Sequence, residues 1–374
     1  MITTLDDYPI HQTAQPVAVP ATSDRNFYDR FWFSGFIGDG SLYFAVAMGF
    51  YPNRRVHDGA FSVLVDGHQY SLHISGDLPL DRARTEIGPL KIDTVIPMRR
   101  HRVTVNDPAR GFEADLTFEG GTGTHEEARQ IMTDGVQLSM DVTRMTQFGT
   151  WSGWIVVKGK RIEVDGRITN GTRDRSWGVR PCGESSGRPS RWASQLYFGW
   201  TQTFWDDHVL HGVLYQDGNG DTLMASGGTI PRVPKADTPV FARDTGEAHA
   251  TPYDVKFNYL PGTRRLAGAN IGFKLDGGET HQITYEPLAT FQMTGVGYFH
   301  PEWGHGYWKG SYAIADETWV SSELDLTKPQ FFHVQQVCKV TRNGKAVASG
   351  ILEHCAFGPH ATSGFKDLID VYKG

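Results

Sequence analysis

Residues 60–74, AFSVLVDGHQYSLHI, set two short runs of β-favouring residues on either side of Asp66-Gly67. Aspartate followed by glycine tolerates the positive φ of a two-residue hairpin turn, so Ala60–Val65 and His68–Ile74 are expected to pair as antiparallel strands. The same grammar continues outward. Ile87–Ile96, Arg99–Asn106 and Phe112–Phe118 extend the meander, broken by Pro97-Met98 and by the turn residues 107–111. Trp151–Val157 and Arg161–Thr169 flank Gly159-Lys160. In the second of these, Ile162, Val164 and Ile168 fall on one face and Arg161, Glu163, Asp165 and Arg167 on the other.

A second series follows: Ser194–Trp205, His208–Gln216, Thr222–Ile230, Val255–Tyr259, Arg265–Lys274 and His281–Glu286. Phe332–Thr341 and Ala346–Phe357 form the last hairpin, around Asn343-Gly344. Only His125–Met132 and Phe365–Val371 read as short helices. The chain is therefore expected to be all-β, each half a sandwich or an up-and-down barrel.

Length and composition agree. The 374 residues exceed one ordinary domain and suggest two of roughly 180 residues each. Aromatic residues make up 12% and glycines number 43, which suits strands joined by tight turns. Residues 1–24, with Pro9, Pro16 and Pro20, read as an extended arm; 25–181 form the first domain; CGESSGRPSR, 182–191, is the linker; 192–374 form the second. A net charge of −6, with no basic cluster, argues against a nucleic-acid partner.

The three cysteines, Cys182, Cys338 and Cys355, form neither a disulfide framework nor a metal spacing. A two-residue turn at Asn343-Gly344 would set Cys338 opposite Ser349, so reduced thiols in a cytoplasmic protein are expected. The first residues lack the basic and apolar regions of a signal peptide, and no run of ~20 apolar residues suits an integral membrane segment.

No GxSxG elbow, P-loop or strand-to-helix GxGxxG is present, which leaves acyl-serine and nucleotide chemistries without support. Three stretches carry candidate chemistry. In Arg173-Asp174-Arg175-Ser176-Trp177-Gly178, alternation puts Thr172, Asp174 and Ser176 on one side and Arg173, Arg175 and Trp177 on the other. The arginines would stack beside Trp177 and cover a barrel end, or hold substrate, while the Asp174 carboxyl points the other way. A free aspartic acid ionises near pH ~4 and arginines push it lower, so a base or charge-stabilising role is the easier one. An acid role requires an apolar pocket that excludes the guanidinium groups.

The second stretch is GVGYFHPEWGHGYWKG, Gly295–Gly310. His300 and Glu302 share a face and His305 follows a glycine corner. They offer donors of the kind zinc or non-haem iron takes, but without the HExxH spacing, and three ligands from one irregular segment is an unusual set. A His/Glu proton-transfer pair beside an apolar cavity is one alternative, with Tyr298 and Trp303 as lining aromatics. Core aromatics with hydrogen-bonded histidines at a strand end are the other. Neither a metal nor a cofactor is expected.

The third is GILEHCAFGPH, where Glu353 shares a face with Cys355 and Phe357, and His354 takes the opposite face. LYFGWTQTFW, Leu196–Trp205, is apolar on both faces. Core packing explains it, and so does an aromatic-lined cavity that includes Trp200.

The stretch Asp174-Arg175-Ser176-Trp177-Gly178 at the end of the first β half resembles the Asp-x-x-Trp-Gly motif of the AttH-like and carotenoid 1,2-hydratase (hydroxyneurosporene synthase) group. GYFHPEWGHG and ILEHCAFGPH look like recurring segments of a separate branch of that superfamily, and the likeness in layout spans about residues 25–370. The resemblance implies two lipocalin-like β-barrels in tandem. It also implies a cofactor-independent hydro-lyase or isomerase acting on a lipophilic unsaturated molecule such as a terpenoid, polyketide or lipid. Relatives add water to isoprenoid double bonds or catalyse pericyclic cyclisations. The hydratase motif's aspartate, thought to assist alkene protonation, maps to Asp174. The hydratases carry histidines beside that acid; here Arg173 and Arg175 stand there and suit a carboxylate or enolate.

The expected catalytic set is Asp174, His300, Glu302 and His305. Arg173, Arg175, Trp177, Trp200, Tyr298, Trp303 and His354 are expected to contact substrate. The partners expected are a hydrophobic small molecule and, beyond it, at most a second copy of the chain. A non-catalytic carrier of a hydrophobic ligand is the alternative.

Overall fold

The computed structural model describes residues 1–185 and 195–374, so most of the expected linker, 186–191, lies outside the described residues. Asp66-Gly67 turns as expected, pairing Val65 with His68. Strands of this kind build two antiparallel sheets. Leu196–Phe204, His208–Gln216, Thr222–Pro231, Ala248–Tyr259, Leu266–Leu275, Thr280–Gln292, His333–Arg342 and Ala346–Phe357 close into an eight-stranded barrel. The first half instead forms a curled, open sheet, half a barrel, ending at Glu86–Ile87 on one side. At its other side His68–Asp77 pairs with Tyr312–Val320, a strand supplied from the second half of the sequence. The chain keeps the tandem β-barrel plan expected of it, with the first barrel left half open. Its architecture is that of two tandem lipocalin-like units, one closed and one half open.

Alternation explains how the sheets stack. All ten residues of Leu42–Tyr51 are buried. Leu42, Phe44, Val46, Met48 and Phe50 enter the core within the curled sheet, and Tyr43, Ala45 and Ala47 turn to the other layer. That layer lies between the sheets and receives Phe198, Trp200 and Phe204, while Tyr197 and Trp205 face the barrel core. The apolar character of both faces of Leu196–Trp205 therefore reflects two dry layers rather than one. The layers are tied by isolated bridges from Thr122 to Arg232 and from Thr124 to Phe241. Between them, a Cβ on Gly123 would lie 2.5 Å from Ala242 Cα. Gly123→Ala is expected to cost about 1–3 kcal/mol by overpacking that seam, as urea denaturation would show; an unchanged midpoint would contradict it.

Three local expectations are corrected. Residues 125–132 are not helical: His125–Glu126 and Gln130–Asp134 pair with the long strand Gln137–Val157, because Glu127 is drawn into buried polar contacts described below. Phe365–Val371 forms no helix. The strand after Gly159 ends at Val164, since Asp165 closes a turn by accepting from the Arg167 amide, and Ile168 is exposed. The last hairpin has three turn residues, not two, so Cys338 faces Gly350 rather than Ser349. The cysteines are nevertheless free thiols. No helix of the described residues is long and apolar enough to cross a membrane.

Candidate active site

The layer between the sheets opens into a cavity of about 470 Å³. Trp32 of the strand Phe27–Ile37, Phe198, Trp200, Tyr298, Phe299 and Phe357 supply much of its apolar wall. Its polar lining includes Arg144, Asp174 and Arg180 from the curled sheet side, and His333 and Glu353 from the barrel. A mostly apolar hollow with a few convergent polar groups is the usual form of a small-molecule site.

Asp174 lies on Thr169–Val179, between Trp32 and Thr146 of the neighbouring strands. Its Oδ2 is 3.2 Å from Arg144 Nε, and its Oδ1 has no hydrogen-bond partner among the described residues. Arg144 is shared: its other arm contacts Glu127 Oε2 at 3.2 Å. Glu127 is saturated, for its Oε1 also accepts from Thr146 Oγ1 at 2.6 Å, Trp200 Nε1 at 3.2 Å and His211 at 3.1 Å. Burial opposes the Glu127 charge, yet Arg144, His211 and Thr146 overcome it and hold the carboxyl below its ordinary range. Asp174 shifts the opposite way. Burial raises its pKa to about 7, Arg144 counteracts only partly, and the Glu127 charge adds to the rise. Two neighbouring carboxyls are thus driven apart, one fixed as an anion and the other able to hold a proton near neutrality.

On the barrel side, His333 Nε2 lies 2.6 Å from Glu353 Oε1, and Gln335 donates to Glu353 Oε2 at 2.5 Å. Tyr43 in turn donates to Gln335 Oε1 at 2.5 Å, which orients the amide. His333 Nδ1 is buried without a partner among the described residues, and the ring is edged by Tyr298 at 4.6 Å and Phe198 at 5.2 Å. A carboxylate on one ring nitrogen and a free second nitrogen is the arrangement of an oriented acid–base histidine. His333 was not among the residues singled out in the sequence, whereas Glu353 belongs to the third candidate stretch.

The segment after Gln292 places His300 and His305 on the cavity with their nitrogens engaged. His300 Nδ1 accepts from the amides of Glu302 and Trp303 at 3.0 and 2.9 Å, so Nε2 carries the proton and points to Glu317 at 3.1 Å. Among the described residues, His73, His300 and Glu317 form the one cluster whose donor atoms lie within metal-binding reach, 4.8 Å. There the His300 ring offers a hydrogen rather than a lone pair. His305 Nε2 donates to the Val296 carbonyl at 2.9 Å and its Nδ1 accepts from Arg180 at 3.2 Å. Burial, with Arg30 and Arg180 nearby, pushes its pKa well down, so it serves as a neutral anchor for Arg180 rather than a proton partner. Glu302 does not join these groups; it is exposed and 3.7 Å from Lys309. Trp303 stacks on His73 at 5.9 Å outside the main cavity.

Of the seven residues expected to contact substrate, Trp200 and Tyr298 line the cavity; the other five, Trp303 among them, lie elsewhere. Arg173 and Arg175 do take the face opposite Asp174, but they do not stack on Trp177. Arg175 covers Phe31 at 4.0 Å and pairs with Asp29 at 2.7 Å, Arg173 is buried near Met98, and Trp177 is exposed. Gly178 follows with φ +127°, where a Cβ would run into the Asp141 carbonyl oxygen. His354 is sealed in the barrel core, donating to the Phe198 carbonyl at 2.9 Å and accepting from Tyr259 at 3.0 Å.

A model described as a family of unknown function, DUF8625, matches residues 2–366. No curated protein matches the chain. Among solved structures, kievitone hydratase from Nectria haematococca is similar with a TM-score of 0.51 at 12% identity, over 88% of this chain and 89% of that one. A putative AttH from Nitrosomonas europaea is similar with a TM-score of 0.51 at 14% identity, over 93% and 97%. The chain thus shares its overall fold with these two structures.

Proposed function

The chain belongs to the family of unknown function DUF8625, and we propose that it is an enzyme hydrating, dehydrating, isomerising or cyclising a lipophilic unsaturated molecule in the inter-sheet cavity. The observation that carries this is the Asp174 carboxyl, raised to about 7 and with one oxygen unpartnered among the described residues, on a mostly apolar cavity. In its acid form Asp174 gives its proton to an alkene carbon, and the cation formed faces the rings of Trp32 and Trp200. His333, oriented by Glu353, takes a proton from the attacking water in a hydration, or from carbon in an isomerisation. The reverse sequence is a dehydration. That a kievitone hydratase has this fold supports the reading.

The test is incubation of the protein in D₂O with a panel of terpenoid and polyketide alkenes, followed by mass spectrometry. Deuterium on carbon, or addition of water, is expected for at least one compound. Stoichiometric recovery of a bound compound unchanged, with no exchange across the panel, would overturn catalysis in favour of a carrier.

A further inference from the structure

The charges lining the cavity are nearly all answered. Arg144 meets Asp174 and Glu127, Arg54 lies 3.7 Å from Glu184, and Glu353 is held by His333 and Gln335. Arg180 is the exception: among the described residues no carboxylate stands within ion-pair distance of it. Its guanidinium lies over Tyr28, 4.4 Å from the ring centroid, and among the described residues gives one hydrogen bond, at 3.2 Å, to His305 Nδ1. That acceptor is itself fixed, because His305 Nε2 is committed to the Val296 carbonyl. The ring and the histidine aim the guanidinium, and among the described residues most of its five N–H donors meet no other acceptor. A partly desolvated guanidinium without a counter-ion favours an anionic oxygen.

We propose that Arg180 is the recognition residue for an anionic oxygen on the substrate, a carboxylate, enolate or phenolate, whose apolar body lies along Trp32, Trp200 and Phe198. This rests on the reading of the cavity as the substrate site, and it narrows the class from neutral lipophiles to acidic ones. The anionic group fixes one end of the molecule at Arg180 while its unsaturated part reaches Asp174. His305 and Tyr28 act as positioning residues for the guanidinium.

The experiment is calorimetric titration with two matched isoprenoids, farnesoic acid and farnesol, at about pH 8, where the acid is ionised. The wild type is expected to bind the acid at least about tenfold more tightly than the alcohol. Arg180→Met should erase that preference and leave farnesol affinity unchanged, while Arg180→Lys should retain part of it. Equal affinities in the wild type, no saturable binding of the acid, or a preference that survives Arg180→Met would each overturn the proposal. The wild-type comparison holds even where a variant fails to fold. Asp174→Asn should keep the preference for the acid, so an anion site that persists without catalysis is distinguishable from failure of the site itself.

Discussion

Asp174→Asn is expected to lower turnover about 10²–10⁴-fold while preserving the fold. The amide fills the same space between Trp32 and Thr146 but cannot deliver the proton. In the wild type the acid form is the active one, so the rate should fall as pH rises through about 7. Stability provides a second readout. The folded carboxyl holds its proton up to about 7 and the ordinary one only to 3.8, so between those values the folded state carries more protons. Stability of the wild type must then decline as pH rises across that window. Asp174→Asn lacks this decline and should be more stable than the wild type above the window, by ~1–3 kcal/mol. Thermal melts across the pH series measure it. Turnover unchanged in the variant would remove Asp174 from the chemistry, and a flat stability difference would remove the elevated acidity.

Glu127→Gln should be the most damaging single change for stability, costing roughly 3–5 kcal/mol. The wild-type carboxylate joins Arg144, Thr146, Trp200 and His211 in one buried group. The amide removes the charge that balances Arg144 and turns donors toward a donor. Its effect on Asp174 runs opposite to intuition about a weakened site. Losing a neighbouring negative charge, with Arg144 freed to attend to Asp174 alone, lowers the Asp174 pKa. Both the activity profile and the pH-dependent part of stability should move to lower pH. Urea denaturation checks the first effect, and a loss under ~1 kcal/mol would show that the cluster is not a structural keystone.

The all-β class was legible because glycine-marked turns and alternating runs are local signals, and Asp66-Gly67 is a clear instance. Opposed faces for Arg173 and Asp174 were legible for the same reason, as strand geometry alone sets them. The partners of those side chains were not. Arg175 finds Phe31 and Asp29, and Asp174 finds Arg144, all from strands distant in sequence. The fate of 125–132 is similar: its helix-favouring residues are overruled by what Glu127 contacts. The missed His333–Glu353 pair has a sharper cause. A two-residue turn at Asn343-Gly344 sets Glu353 opposite Val334, whereas the three-residue turn sets it opposite Gln335 and brings it to the face of His333. One residue of register inverts a strand's faces, and here it concealed an acid–base pair.

Tyr312–Val320 completes the edge of the curled sheet beside His68–Asp77. During synthesis, the strand ending at Asp77 leaves the ribosome more than two hundred residues before its partner. At a typical elongation rate of ~5–20 residues per second, that edge waits on the order of ten seconds or longer with its backbone donors and acceptors unclaimed. The nascent chain is thus obliged to carry an open sheet edge until Tyr312–Val320 has been made.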